Sequence, residues 1–375
     1  MAKVKFGIDM SLESYTSKSW DRYRDFIKGI NEDKWDGIWL GDHLGGIPPN
    51  SPFRNYNIWT VFPIIAELKP KVNFGSAVTD PHRYLPQVMA QIVMSIDHIS
   101  NGRFIYGIGP GEAWNLDIYG IDKTKPISKL EEYIKVLRIL WQSDGKKVSF
   151  EGEFYKFKEA ILEPRPIQES IPVWIGANGP RTRKLTGKIA DGWLPYSFSI
   201  DTYKLEMEDV KNSLRENNRN LEEFTFGYWN WIYINDNERA LDGYTVEKKL
   251  TMALQHPYSL KPLGFWKEEK RDLYQKLGFE PETLTPLKFH TIDNLDFDIV
   301  SQIVSDVPDD FIRKSVLMGT KQEIITKLEK LIKLGVQNFV LMIDNPLRAK
   351  PKPYTWEYVF QLFTEEIIPY LKENY

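Results

Sequence analysis

The sequence predicts an α/β protein, a TIM (β/α)8 barrel with insertions, and three observations predict it. The chain has 375 residues, more than one ordinary sandwich or bundle needs, which suits a single barrel or two domains. Apolar, β-branched runs recur along it, each followed by a stretch of helical period. Several of these runs are apolar on both faces, as parallel strands buried under helices must be. About eight strands alternating with helices imply closure into a barrel. A doubly wound sheet is the alternative, because alternation alone does not show closure.

Taken in order, "KVKFGIDM" (3–10) alternates as a first strand and precedes an amphipathic helix over 19–30. "GIWLGDH" (37–43) reads as the second strand, followed by a Pro/Gly-rich loop and the helical "NIWTVFPIIAEL". "VNFGSAVTD" (72–80) is the third and leads into the helix of "YLPQVMAQIVMSIDHIS"; "FIYGIGPGE" (104–112) is the fourth. A helix is predicted over 128–141, with Ser128 and Glu131 as a capping box and Leu130, Ile134, Leu137 and Trp141 as its stripe. "IPVWIGANG" (171–179), "ADGWLP" (190–195), "FTFGYWNWIYI" (224–234) and "NFVLMID" (338–344) supply the remaining strands. Thr320 with Glu323 caps a helix carrying Ile324, Leu328, Leu331 and Ile332, which stops near Gly335.

Two stretches break the alternation. Residues 146–160 alternate like a hairpin, and residues 235–315 are long, polar and Pro-punctuated, with no clean strand. Both read as insertions in one domain over 1–375, since the βα unit after 315 is needed to close the barrel.

Composition narrows the function. The chain has no cysteine, which excludes disulfide scaffolds, cysteine nucleophiles, iron–sulfur clusters and thiolate zinc sites. Its net charge of -3 offers a nucleic acid no electrostatic attraction. The opening "MAKVKFGIDM" reads as a short strand rather than a secretion signal, and no apolar run approaches the roughly 20 residues that span a bilayer. A soluble cytoplasmic protein acting on a small molecule is expected. No histidine pair has the i, i+4 spacing of a helical metal site, so no metal is expected.

In a barrel the chemistry sits at the C-terminal ends of the strands. Glu13 follows the first, Asp42 and His43 the second, and Ser76 to Asp80 the third. Gly109, Pro110, Gly111, Glu112 and Asn115 follow the fourth, and Gly176, Ala177, Asn178 and Gly179 the fifth. Rim packing explains any one of these more easily than it explains the set. "GIGPGE" lacks the third glycine of a dinucleotide fingerprint, because Glu112 stands there. "GANGPRTRK" places a Gly-rich turn before a helix whose first turns hold Arg181, Arg183 and Lys184. Uncapped N–H groups and guanidinium suit a phosphate, and a solvated basic helix face is the other reading. His98 reads as packing or capping, His82 lies one loop beyond the third strand, and His256 and His290 fall in the long insertion.

The run "GSAVTDPHRYLPQVMAQIVMSIDHISNGRFIYGIGPGEAWN", with "RILW", "EPRPIQESIPVWIGANGP" and "ADGW", resembles the bacterial luciferase-like flavin and deazaflavin oxidoreductases over about 1–235 and 316–345. "GDH" and "GEAWN" look most like the branch that uses coenzyme F420. That branch includes F420-dependent glucose-6-phosphate and secondary alcohol dehydrogenases and methylenetetrahydromethanopterin reductase. The resemblance implies that His43 takes the proton of a substrate hydroxyl and that Glu112 is a second acid–base group. It implies that Asp42 and Asn115 contact the deazaflavin, with Gly111 in the same cofactor-binding loop. It further implies a non-prolyl cis peptide at Ala77-Val78 behind the ring, and a cofactor-tail phosphate site at Gly176, Ala177, Asn178, Gly179 and Arg181. Relatives are often homodimers, and the apolar helix stripes are compatible with one.

The residues agree with that chemistry. Oxidising an alcohol needs a base for its proton and an acceptor for its hydride. Imidazole is the natural base near neutrality, and only a cofactor can accept hydride. Glu13, Trp114 and Trp229 could line a substrate pocket, with rim packing the competing reading. For a phosphorylated substrate, Lys204, Lys261, Arg313 and Lys314 are candidates. An FMN-dependent, luciferase-like monooxygenase is the alternative within the same fold, and a cofactor-free binding subunit is a third reading.

Overall fold

Each apolar run folds as a strand. In the computed structural model the strands, with three more than those runs, are β1 (Lys5–Asp9), β2 (Gly37–Leu40), β3 (Asn73–Ser76), β4 (Phe104–Ile108), β5 (Val148–Glu151), β6 (Lys156–Ala160), β7 (Val173–Ile175), β8 (Gly192–Trp193), β9 (Thr225–Ile234), β10 (Met318–Gly319) and β11 (Asn338–Ile343). The structure describes residues 3–11, 19–44, 56–176, 178–197, 199–255, 260–261, 263–279, 295–344 and 354–375. Strand order β9-β11-β1-β2-β3-β4-β7-β8, with β8 pairing back to β9, closes an eight-stranded parallel barrel. The doubly wound alternative is thereby excluded.

The chain divides into two compact units. The first comprises residues 1–196, 208–229 and 336–342 and contains the barrel. Trp39, Ile105, Trp174, Leu194 and Val340 form one buried cluster, so β2 and β7 meet through stacked indoles with centroids 5.2 Å apart. Neighbouring strands make room for those rings with glycine. A Cβ at Gly7 would lie 2.4 Å from Trp39 Nε1, and one at Gly192 would lie 2.6 Å from Trp174 Cδ1. Helices Trp20–Gly29, Ile58–Leu68 and Pro86–Ser100 follow β1, β2 and β3. At the other end of the strands, Arg103 donates to the carbonyls of Ala66, Lys69, Val72 and Ser100, and Lys69 donates to those of Lys28 and Ile30. These two cations collect the orphan carbonyls where helices stop and strands begin.

One predicted cap differs. The helix spans Pro126–Trp141 and starts at a proline, which is preorganised for the first helical position. Ser128 is therefore already inside the helix, and Glu131 pairs instead with Lys135 at 2.8 Å and Lys188 at 2.9 Å. The 146–160 hairpin is present as antiparallel β5 and β6. Glu132 accepts the N–H groups of Glu153, Phe154 and Tyr155 at its turn.

The second unit comprises residues 197–207, 230–335 and 343–375. Within it the described part of 235–315 is helical, with Glu238–Gln255, Arg271–Leu277, Phe297–Ile303 and Asp309–Ser315. These helices share a core that includes Leu241, Tyr244, Met252, Tyr274, Val300 and Ile312, with Tyr233 stacked on Tyr244 at 4.1 Å. The expected capping box at Thr320 and Glu323 is formed, and the helix Lys321–Leu334 ends at Gly335 with φ 109°. Among the described residues, no helix is long and apolar enough to cross a membrane.

Candidate active site

The residues of the barrel rim described here all belong to the first unit. Strand β2 ends at Leu40, and Asp42 follows it as a buried carboxylate. Thr79, just past β3, donates its hydroxyl to Asp42 Oδ2 at 2.6 Å. The Arg83 guanidinium reaches the same oxygen at 3.0 Å and the Asp42 carbonyl at 2.7 Å, while its Nε donates to Asp80 Oδ2 at 2.6 Å. Asp80 Oδ1 also accepts the N–H groups of His82 and Arg83. The Asp42, Asp80 and Arg83 side chains are each only 4% exposed, so this is a desolvated charge cluster. Burial pushes the Asp42 carboxyl above its ordinary range, and the Arg83 guanidinium opposes that without cancelling it.

His43 lies over Gly41, where a Cβ would stand 2.9 Å from the imidazole Cδ2. Its Nδ1 is 3.0 Å from Asn115 Nδ2 and 3.8 Å from Glu112 Oε2. Asn115 Oδ1 accepts the Leu44 N–H at 3.1 Å, and Asn115 Nδ2 is 3.5 Å from Glu112 Oε2. Asn115 thus ties the end of β2 to the short helix Ala113–Leu116 after β4. The His43 side chain is 17% exposed and that of Glu112 is 52%, so the carboxyl can exchange protons with water.

A residue that sequence reasoning missed joins them. Asp9, the last residue of β1, is fully buried, accepts the Ser11 N–H at 2.8 Å and takes the Trp229 indole N–H at 2.5 Å. Burial raises its pKa, while those hydrogen bonds and the nearby His43 pull it down. Trp229 also meets Tyr196 edge-on at 4.9 Å. The only local signal of Asp9 was an acid ending an apolar strand.

The peptide Ala77-Val78 is cis, where the resemblance implied it. Both side chains are half-buried and adjoin the Trp39–Trp174 cluster. Gly109 and Gly176 flank Val78 so closely that a Cβ on either would lie 3.0 Å from its Cγ2. Backbone-lined and apolar, this surface fits the face of a flat ring system. Gly111 holds φ 97°, a conformation that favours glycine.

The helix Pro180–Ile189 has Gly179 as its N-cap, so its first N–H groups have no side-chain cap. Arg183 is engaged by Asp209 and the Asn178 carbonyl, and Lys184 by Glu216. Arg181 is exposed and has no ion pair among the described residues. Asn178 Oδ1 is buried and has no hydrogen-bond partner among the described residues. An uncapped helix end, a basic side chain and an unsatisfied buried amide together fit the polar tail of a cofactor.

Other expected residues stand apart. Glu13, Ala177, His256 and His290 lie outside the described residues, as does the side chain of Trp114. His82 Nε2 donates to the Pro110 carbonyl at 3.0 Å, and His98 Nε2 to that of Arg165 at 2.8 Å, so both join loops. Lys204, Lys261, Arg313 and Lys314 belong to the second unit, where Arg313 serves Glu238 and Asp242 and Lys314 serves Asp310.

Known proteins share this architecture. A phthiodiolone/phenolphthiodiolone dimycocerosates ketoreductase from Mycobacterium kansasii is 32% identical over 47% of this chain and 55% of its own length. A 5,10-methylenetetrahydromethanopterin reductase from Archaeoglobus fulgidus is 25% identical over 98% of this chain and 100% of its own. The solved structure of an F420-dependent secondary alcohol dehydrogenase with an F420-acetone adduct superposes with a TM-score of 0.67. It covers 91% of this chain and 93% of that one at 21% identity. The family described as luciferase-like monooxygenase matches residues 4–338, and the chain belongs to it.

Proposed function

We propose that the protein is an F420-dependent oxidoreductase transferring a hydride between an alcohol or sugar-phosphate carbon and the deazaflavin. The observation that carries this is the His43–Asn115–Glu112 cluster, with imidazole and carboxyl 3.8 Å apart, on a strand end whose Asp42 is bonded by Thr79, the residue after Ala77-Val78. The deazaflavin, when bound, supplies a two-electron hydride acceptor and donor. His43 is the general base that moves the proton on the substrate oxygen, and Glu112, open to water, is the second acid–base group. The Asp42 carboxyl, held by Thr79 and Arg83, presents a fixed hydrogen-bond partner to the ring system. Gly111, Gly176, Asn178, Gly179 and Arg181 serve the remainder of the cofactor. Trp229, pinned by Asp9, is a wall of the substrate pocket.

The ketoreductase and the methylenetetrahydromethanopterin reductase support reductase chemistry, and the F420-bound alcohol dehydrogenase supports the cofactor. The family description favours a second reading, an FMN-dependent monooxygenase, for which the glycine-lined surface serves equally well. Titrating the purified protein with F420 and with reduced FMN separates the two. Saturable F420 binding without oxygen consumption is expected. Saturable binding of reduced FMN with oxygen uptake, and none of F420, overturns the reading.

A further inference from the structure

We infer that Asn115 is a positioning residue that holds uncharged His43 as its Nε2–H tautomer, giving the resting site the form that receives a carbonyl substrate. This rests on the reading above and adds the substrate class and a role for Asn115. One donor at the site is fixed. A backbone N–H can only donate, so the Asn115 atom 3.1 Å from the Leu44 nitrogen is the amide oxygen. The amide NH2 must then face His43 Nδ1, at 3.0 Å. A nitrogen that accepts a hydrogen bond carries no proton, so the ring proton is on Nε2. The opposite amide orientation sets NH2 against the Leu44 N–H, donor to donor. Asn115 is 6% exposed and its carbonyl is occupied, which leaves little freedom for a flip.

A ring that offers N–H to the pocket matches an oxygen that only accepts. A ketone or aldehyde has such an oxygen. As hydride reaches the carbonyl carbon from the reduced cofactor, the C=O π pair moves to oxygen and that oxygen takes the Nε2 proton. His43 Nδ1 takes a proton in turn that the Glu112 carboxyl, 3.8 Å away and open to water, relays from solvent. The ring finishes uncharged with its proton on Nδ1, and Glu112 finishes as it began, the proton having come from water. Alcohol oxidation starts from the other tautomer, with Nδ1–H pointed at the Asn115 amide donor. An alcohol therefore binds productively only after a proton has moved within the site.

Long-range 1H–15N correlation NMR on the cofactor-free protein labelled with 15N-histidine reads the tautomer directly. The chain has five histidines, and loss of one spectrum in His43→Asn assigns the signal. Wild-type His43 is expected as Nε2–H. Asn115→Asp, whose carboxylate accepts from Nδ1–H, should invert the pattern, and Asn115→Leu should give a mixture. A wrong tautomer costs about 10⁴-fold in a well-studied catalytic triad, so Asn115→Asp should lower carbonyl reduction by about 10²–10⁴-fold. A wild-type Nδ1–H signal overturns the inference, and so does a pure Nε2–H signal in Asn115→Leu. Failure to bind F420 with the Nε2–H signal intact instead removes the cofactor reading and leaves the tautomer assignment standing.

Discussion

At the scale of single residues, His43 combines the properties a proton-transfer group needs. It is mostly enclosed, its Nδ1 is held by an amide, and an exposed carboxyl stands within 4 Å. His43→Ala should therefore cut turnover by about 10²–10⁴-fold, as expected for a lost general acid–base group. Cofactor titration should stay unchanged, because the apolar surface and the Asp42 cluster remain. Normal turnover in that variant, measured as F420 reduction or oxidation, would remove His43 from the mechanism. His43, Glu112 and Asn115 were visible in the sequence because each follows an apolar run, and barrel geometry brings strand ends to one rim. Asp9 was not, because it falls within the predicted strand 3–10, on the polar side of its alternation, and reads as part of the strand. Its indole partner, Trp229, is 220 residues away, which no local pattern can reveal.

At the scale of elements, Arg83 locks the segment after β3 onto the end of β2. It lies between two carboxylates in a cluster almost without solvent. Removing one partner of a buried ion pair leaves an uncompensated charge, which costs about 3–5 kcal/mol. Arg83→Met leaves Asp42 and Asp80 facing each other and should destabilise the protein by about that amount, read as a fall in urea midpoint at constant slope. A loss under about 1 kcal/mol would show that solvent already screens the cluster, contrary to its burial. Strands were legible at this scale because parallel strands buried on both faces leave continuous apolar runs. Caps were legible where a single motif competed, as at Thr320, and misread at Ser128, where Pro126 set an earlier start. The helix Glu238–Gln255 was missed because its buried side includes Thr245 and Lys248, which interrupt the apolar stripe.

At the scale of the whole molecule, barrel closure followed from counting strands, and the core of the second unit did not, because polar residues interrupt the buried face of Glu238–Gln255 and the helices Arg271–Leu277, Phe297–Ile303 and Asp309–Ser315 are only 7 residues each. The barrel also carries an electrostatic burden that is visible only when folded and unfolded chains are compared. Asp9 is buried in the native state, and burial raises its pKa above the ordinary carboxylate value that the unfolded chain retains. The folded state therefore holds that proton more tightly than the unfolded one. As pH rises from the unfolded pKa through the raised folded one, stability falls, and it levels off above that window. Asn at this position cannot titrate. The stability of wild type minus that of Asp9→Asn should thus decline from acidic towards neutral pH, even though Asn satisfies only one of the two N–H donors of Ser11 and Trp229. Urea unfolding of both proteins across that range measures the difference. A difference that is flat or rises with pH would mean Asp9 is ionised in the fold as readily as in water. The hydrogen bonds from Ser11 and Trp229 would then outweigh the burial that now raises its pKa.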